Sequence, residues 1–173
     1  MPELLPVLEK EVIAQRIDEI ALQISFDYRD ADLVIIGVLK GAFVFMADLI
    51  RRIQCNCMQI DFIRLASYGT KSASCGQIGL LKDIEIDIEG KDVLIVEDIL
   101  DTGLTLAFLH RHLDKYNPRS VKTCVLIDKP ERRKTEIRAE YICHTVKEGF
   151  LVGYGLDYAE RYRNLTGIFN LKL

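Results

Sequence analysis

No C-x-x-C pair occurs in this sequence, and its five cysteines, at positions 55, 57, 75, 124 and 143, are scattered and odd in number. That pattern excludes a disulfide framework and fits free thiols in a reducing compartment. Cys143-His144 and His110-x-His112 are the only metal-like adjacencies, and neither has partners at zinc spacing. Long apolar runs are missing too: the longest, Leu33 to Leu39, has about seven residues, far short of a membrane span. Met1-Pro-Glu-Leu-Leu-Pro lacks a basic start and a long apolar stretch, so no signal peptide is expected. There is no excess of positive charge. A net charge of −3 argues against a broad nucleic-acid footprint, and the doublets Arg51-Arg52 and Arg132-Arg133 read as solvated faces. No G-x-x-x-x-G-K-[ST] occurs, which removes a P-loop nucleotide hydrolase. Nor does any linker, repeat or low-complexity segment divide the 173 residues, so a single domain with a sizeable core is expected. A cytoplasmic protein with no membrane attachment follows as the expectation.

What is present is an alternation of helical and strand patterns. Ile13, Ile17, Ile20, Ala21 and Ile24 mark an amphipathic first helix. Asp32 to Leu39 reads as a buried strand, and 42–53 as a helix with Phe45, Leu49 and Ile53 on one face. Met58 to Leu65 reads as a strand in which Met58, Ile60 and Phe62 alternate against Gln59 and Asp61. Residues 67–77 form a polar, glycine-punctuated loop containing Lys71 and Cys75, and Ile78 to Leu81 resumes as a strand. A further strand is expected from Val121 to Ile127, after a turn at Asn117-Pro118. Strands alternating with helices predict an α/β fold, a Rossmann-like parallel sheet with helices on both faces. Ligands in such folds gather outside the carboxyl ends of the strands, and the segments at 40, 97 and 128 all start at such ends.

The most informative stretch is Val93-Leu-Ile-Val-Glu97-Asp98-Ile-Leu-Asp101-Thr102-Gly103-Leu104-Thr105-Leu106. A four-residue apolar run reads as a strand buried on both faces that stops at two adjacent carboxylates. A third carboxylate and a small, hydroxyl-rich turn follow. Leu106, Leu109 and Leu113 then repeat at helical spacing. A strand that opens through such a turn into a helix makes an anion site, because backbone N–H groups at the helix start point outward and the dipole favours negative charge. Three carboxylates beside a phosphate would repel it unless they serve ribose hydroxyls, a hard cation or a proton.

This stretch closely resembles the phosphoribosyl pyrophosphate (PRPP) signature of type I phosphoribosyltransferases, and most closely that of the hypoxanthine-guanine branch. The resemblance runs from about Glu9 to Leu165. It implies the type I fold with a small hood built from the N- and C-terminal segments. It also implies transfer of the 5-phosphoribosyl group from PRPP to hypoxanthine or guanine, with Mg²⁺, in a homodimer or homotetramer. Glu97 and Asp98 would face the ribose hydroxyls and, with Asp157, hold the metal. Asp101 would be the catalytic residue, exchanging a proton at the purine N7. Thr102, Gly103, Leu104 and Thr105 would cradle the 5′-phosphate.

The remaining segments are weak alone and take their meaning from the resemblance. Leu39-Lys40-Gly41 by itself reads as an ordinary turn; in the family this turn binds pyrophosphate and often carries a non-proline cis peptide. Ser67 and Tyr68 would belong to a mobile loop, about 67–77, that closes over the reacting centre and meets pyrophosphate, while Arg163 reaches the same group. A lone lysine at a strand end is more often a surface charge, yet a lysine offers only donors. Lys129 would thus suit a purine 6-oxo group, with Phe150 stacking on the base and Leu151 and Asp157 completing its site. The clearest departure is Cys143-His144-Thr145-Val146-Lys147-Glu148, where relatives carry a Gly-Phe pair and a Pro-Asp turn. Two alternatives remain: transfer to xanthine, adenine or a pyrimidine, or a non-enzymatic regulator of the same fold that binds nucleic acid.

Overall fold

The structure, a computed structural model, describes residues 3–68 and 77–172, with Ser67, Tyr68 and Gln77 described by backbone alone. Along the chain run β1 (Glu3–Leu8), α1 (Lys10–Asp27), β2 (Asp32–Leu39), α2 (Phe43–Ile50), β3 (Cys57–Tyr68) and β4 (Gln77–Lys82). Then come β5 (Asp92–Leu100), α3 (Leu104–Leu113), β6 (Ser120–Asp128), β7 (Tyr141–Thr145), β8 (Leu151–Val152) and β9 (Ile168–Lys172). The main sheet has six strands in the order β4-β3-β2-β5-β6-β7, parallel except where β4 pairs antiparallel with β3. A separate three-stranded antiparallel sheet, β1-β9-β8, joins the two ends of the described chain.

The middle of each central strand, residues 33–36, 93–96 and 124–127, is apolar because both faces are covered. Period-two alternation sends Leu33, Ile35, Leu94, Val96, Cys124 and Leu126 into one core with α1 and α2. Val34, Ile36, Val93, Ile95 and Val125 point the other way, into a second core closed by Leu106, Leu109 and Leu113 of α3. All five apolar residues expected to line α1 are buried. No helix among the described residues is long and apolar enough to cross a membrane.

Three sequence expectations need correction. The strand carrying the carboxylates does not stop at Val96; it continues to Leu100, because β6 pairs with it as far as Asp128. The alternation expected in β3 is inverted at its centre: Ile60 is exposed and Asp61 is buried. Asp61 is tolerated there because it accepts backbone N–H bonds from Phe62 (2.7 Å), Glu85 (2.6 Å) and Ile86 (3.0 Å). The second helix ends at Ile50, three residues before Ile53.

Asp92 opens β5, is buried, and accepts from Arg119 Nε (3.1 Å), Arg119 Nη2 and Ser120 Oγ (2.7 Å). The Arg119 guanidinium holds its carboxyl below the usual aspartate range against the opposing effect of burial. A depressed carboxylate stabilises the fold above its unfolded pKa, about 3.9, and that contribution disappears as pH falls through the folded value. Asp92→Asn should therefore cost about 1–2 kcal/mol at pH 7. The gap to wild type should close in acid. Urea unfolding at neutral and acidic pH measures both; an unchanged gap would mean that Asp92's charge is not what ties these strand ends.

Candidate active site

Glu97 and Asp98 lie near the carboxyl end of strand β5. Glu97 is buried, and burial first, then the adjacent Asp98 charge, pushes its carboxyl well above the ordinary range. Burial raises Asp98 as well. Two backbone amides steady the pair: Asp98 N–H donates to Glu97 Oε1 (3.0 Å) and Ile99 N–H to Asp98 Oδ1 (2.7 Å).

The turn after β5 leads through Gly103 directly into α3. Gly103 is the N-cap of α3 with φ of 82°, a left-handed conformation that glycine adopts at no steric cost. A Cβ there would also overlap Thr135 Oγ1. A cavity of about 140 Å³ lies over Asp101, Thr102, Gly103 and Thr105, facing the helix start. Gly103 offers no side chain to cap the helix, and Leu104 N–H makes a long bond, 3.4 Å, to the Thr102 hydroxyl.

Asp101 presents one buried oxygen, Oδ1, with no partner among the described residues. Its Oδ2 lies 3.4 Å from Arg132 Nη1, and its backbone carbonyl accepts from Arg133 Nε at 2.9 Å. Arg133 also donates to the carbonyls of Leu100 (3.2 Å) and Ile137 (3.0 Å) and pairs with Asp128. The expectation that this arginine doublet is a solvated face fails for Arg133, which is mostly buried and ties the ends of β5 and β6 together.

Across the cleft, the turn after β2 approaches the same carboxylates. The Leu39–Lys40 peptide is cis. Gly41 lies directly against Asp98, and Gly155, with φ of 100°, packs on the Gly41 carbonyl; a Cβ at either glycine would overlap its neighbour. Arg163 donates to Gly155 O (2.7 Å) and pairs with Asp157 Oδ1 (2.8 Å) and Glu160 Oε2 (3.3 Å). Lys40 Nζ meets the same Glu160 oxygen at 2.8 Å. Hydrogen bonding from Lys40, then from Arg163, holds the Glu160 carboxyl below the usual range. The segment is strained: Tyr154, Ala159, Glu160 and Tyr162 all have φ between 50° and 76°. Such non-glycine outliers cluster at functional sites. Glu160 was missed in the sequence; a charged residue among Gly, Asp and Arg carries no periodic signal.

The third wall stands past β6. Lys129 is buried, its N–H donates to Leu100 O (2.9 Å), and its Nζ donates to Gly149 O at 2.8 Å. The Phe150 ring is half-exposed and meets Tyr158 edge to face, with centroids 5.6 Å apart. Its backbone is pinned by β9: Phe150 N–H donates to Asn170 Oδ1 (3.0 Å), and its carbonyl accepts from Leu171 N–H (2.8 Å). Leu151 is buried in β8. The unusual segment from Cys143 leaves β7 at Thr145, and Val146 N–H bonds Asp128 O at 3.0 Å. Ser67 and Tyr68 end β3, and the loop expected at 67–77, including Lys71 and Cys75, lies outside the described residues apart from its first two residues and its last.

One network thus brings Lys40, Gly41, Asp98, Asp157 and Arg163 together, and a second links Asp101 to the strand end that carries Lys129. A family model described as phosphoribosyl transferase domain matches residues 6–159. The chain is 43% identical over 166 residues to the hypoxanthine-guanine phosphoribosyltransferase of Bacillus subtilis (strain 168), covering 96% of this chain and 92% of that one. It is 44% identical over 158 residues to the hypoxanthine phosphoribosyltransferase of Escherichia coli (strain K12), covering 90% and 88%. Its fold is similar to the crystal structure of a hypoxanthine-guanine phosphoribosyltransferase from Bacillus anthracis, with a TM-score of 0.92, 45% identity and 100% of both chains covered.

Proposed function

The chain belongs to the phosphoribosyl transferase family, in its hypoxanthine-guanine branch, and from that premise we propose how its residues divide the reaction. It is a purine-salvage transferase, moving the 5-phosphoribosyl group from PRPP to a 6-oxopurine and releasing pyrophosphate. The observation that carries the assignment of roles is the buried Asp101 oxygen beside the phosphate turn, which has no partner among the described residues.

Thr102 to Thr105 hold the 5′-phosphate through the N–H groups at the start of α3 and two hydroxyls. Glu97 and Asp98 take the ribose hydroxyls. Positive charge builds on the ribose ring as pyrophosphate leaves, and Lys40 and Arg163 neutralise the departing group. Ser67 and Tyr68 close on the same end of the substrate. Asp101 accepts or returns the proton at purine N7. Phe150 stacks on the base and the Leu151 backbone meets its pyrimidine edge. No covalent enzyme intermediate is needed.

Glu97 and Asp98 suit a magnesium ion, and Asp157, the third ligand the resemblance names, would have to exchange its bonds to Arg163 and the Glu160 amide to join them. Glu97 makes no salt bridge among the described residues, and burial disfavours its charge, so a dication is the partner its chemistry asks for. No group of three or more His, Cys, Asp or Glu side chains converges among the described residues. Magnesium commonly takes one or two carboxylates together with substrate oxygens. When bound, the ion supplies Lewis-acid neutralisation of pyrophosphate oxygens. We place the enzyme in the cytoplasm as a homodimer or homotetramer.

The test is nucleotide formation from PRPP, Mg²⁺ and hypoxanthine, guanine, xanthine, adenine or a pyrimidine in turn. Lys129→Gln sharpens it. Lys129 Nζ donates to the carbonyl of Gly149, the residue before Phe150. An amide both donates and accepts, so discrimination between 6-oxo and 6-amino purines should narrow while PRPP affinity is kept. If adenine stays as poor a substrate relative to hypoxanthine as in wild type, Lys129 does not read the 6-position.

A further inference from the structure

Glu160 holds both cations that the reaction needs for pyrophosphate. A single carboxylate oxygen, Oε2, meets Lys40 Nζ at 2.8 Å and Arg163 Nη2 at 3.3 Å, joining positions 120 residues apart. We propose that Glu160 is a built-in competitor of pyrophosphate: its carboxylate and the leaving group share the same two cations, so Glu160 weakens pyrophosphate binding and speeds its release. The proposal rests on the assignment of Lys40 and Arg163 to the pyrophosphate end.

The local geometry suits an arm that swings. The backbone seat is fixed: Glu160 has φ of 62°, and its N–H donates to Asp157 Oδ2 at 2.8 Å. Its side chain is 64% exposed, so it leaves its partners without opening the core. Asp157, the other acid on Arg163, is the static member. It is 29% exposed, and its two oxygens are committed to Arg163 and to the Glu160 amide. Lys40 and Arg163 carry donors only, so each takes another anion in place of the carboxylate without leaving an acceptor unpaired. Exposed ion pairs contribute little to stability, so Glu160 does little for the fold. The same modest free energy is subtracted from the affinity of any ligand that must take both cations. An enzyme whose cations are partly occupied shows a ligand affinity reduced by the free fraction. Once phosphoribosyl transfer is complete, the carboxylate is poised to take the cations back. Product release limits many enzymes, and an internal anion at this place acts on that step.

The experiment compares wild type with Glu160→Gln, which keeps size and removes charge. The readouts are inhibition by pyrophosphate, KM for PRPP and inhibition by the nucleoside monophosphate, all with Mg²⁺. Glu160→Gln should tighten pyrophosphate and lower KM for PRPP by about three- to tenfold, the scale of two exposed ion pairs. The monophosphate, which has no pyrophosphate, should bind as before. In a Lys40→Gln background most of the gain should vanish, since one shared cation is gone. An unchanged or weaker pyrophosphate constant in an active Glu160→Gln enzyme overturns the proposal. So does a parallel loss for pyrophosphate and monophosphate, which would make Glu160 a mere tie of the loop. Failure of the wild-type enzyme itself to use PRPP or bind pyrophosphate would instead sink the underlying assignment.

Discussion

Asp101→Asn should lower kcat by about 10²- to 10⁴-fold while PRPP affinity survives. The substitution keeps the shape of the side chain and removes its ability to carry a proton. In the structure Asp101 is arranged as a carboxylate with one oxygen to spare. Arg132 stands 3.4 Å from Oδ2, Arg133 holds the backbone carbonyl, and Oδ1 is buried without a partner among the described residues. An unpaired buried oxygen is costly to keep, so its persistence points to a proton-bearing partner in the reaction. Asparagine can still accept a hydrogen bond at that place, but it cannot take the N7 proton. PRPP binding should persist because the phosphate turn works through backbone N–H groups and hydroxyls rather than through Asp101. Steady-state kinetics with hypoxanthine, alongside PRPP binding by calorimetry, separates the two effects. Unchanged turnover would falsify the role of Asp101; an equal loss of PRPP affinity would show that the turn had collapsed instead.

Much of this arrangement is legible in the sequence, and the illegible parts share a physical cause. β2, β5 and β6 stand out because the stretch of each that is covered on both faces is an unbroken apolar run, and helix α1 because its buried side chains repeat with the helical period. The turn from Asp101 to Thr105 is local chemistry and reads directly. β1, β8 and β9 do not. β1 and β9 mix buried and exposed positions and pair across nearly the whole chain, and β8, two buried residues, is too short to show any period. Asp61 and Arg133 mislead for a related reason. Their partners are backbone groups from other segments, so a residue that looks like surface charge is satisfied inside. Glu160 is the extreme case: its meaning lies in Lys40, which only the fold brings near.

Gly41→Ala should cost about 10²-fold in kcat/KM for PRPP, the penalty for shifting a reacting group by about an ångström. The glycine is wedged between two parts of the site. On one side a Cβ would overlap the Asp98 carboxylate; on the other the Gly41 carbonyl already supports Gly155. Asp98 has little freedom to retreat. Its Oδ1 is held by the Ile99 amide at 2.7 Å, and Glu97 is buried beside it. Gly155 cannot give way cheaply either, with φ of 100° and its own carbonyl bonded to Arg163 at 2.7 Å. The added methyl must therefore turn Asp98 away from the ribose hydroxyls we propose it holds, or push the Lys40 turn away from Arg163. Both outcomes separate groups that must act together, although the hydrophobic cores are untouched. Gly90→Ala provides the contrast. Gly90 has φ of 70°, and a Cβ there meets nothing within 4 Å. That variant should lose about 1–2 kcal/mol of stability from its left-handed backbone and keep its kinetics. Thermal unfolding and PRPP kinetics on both variants place the two glycines on opposite axes. Wild-type kcat/KM in Gly41→Ala would mean that the close approach of the Lys40 turn to Asp98 is packing without catalytic consequence.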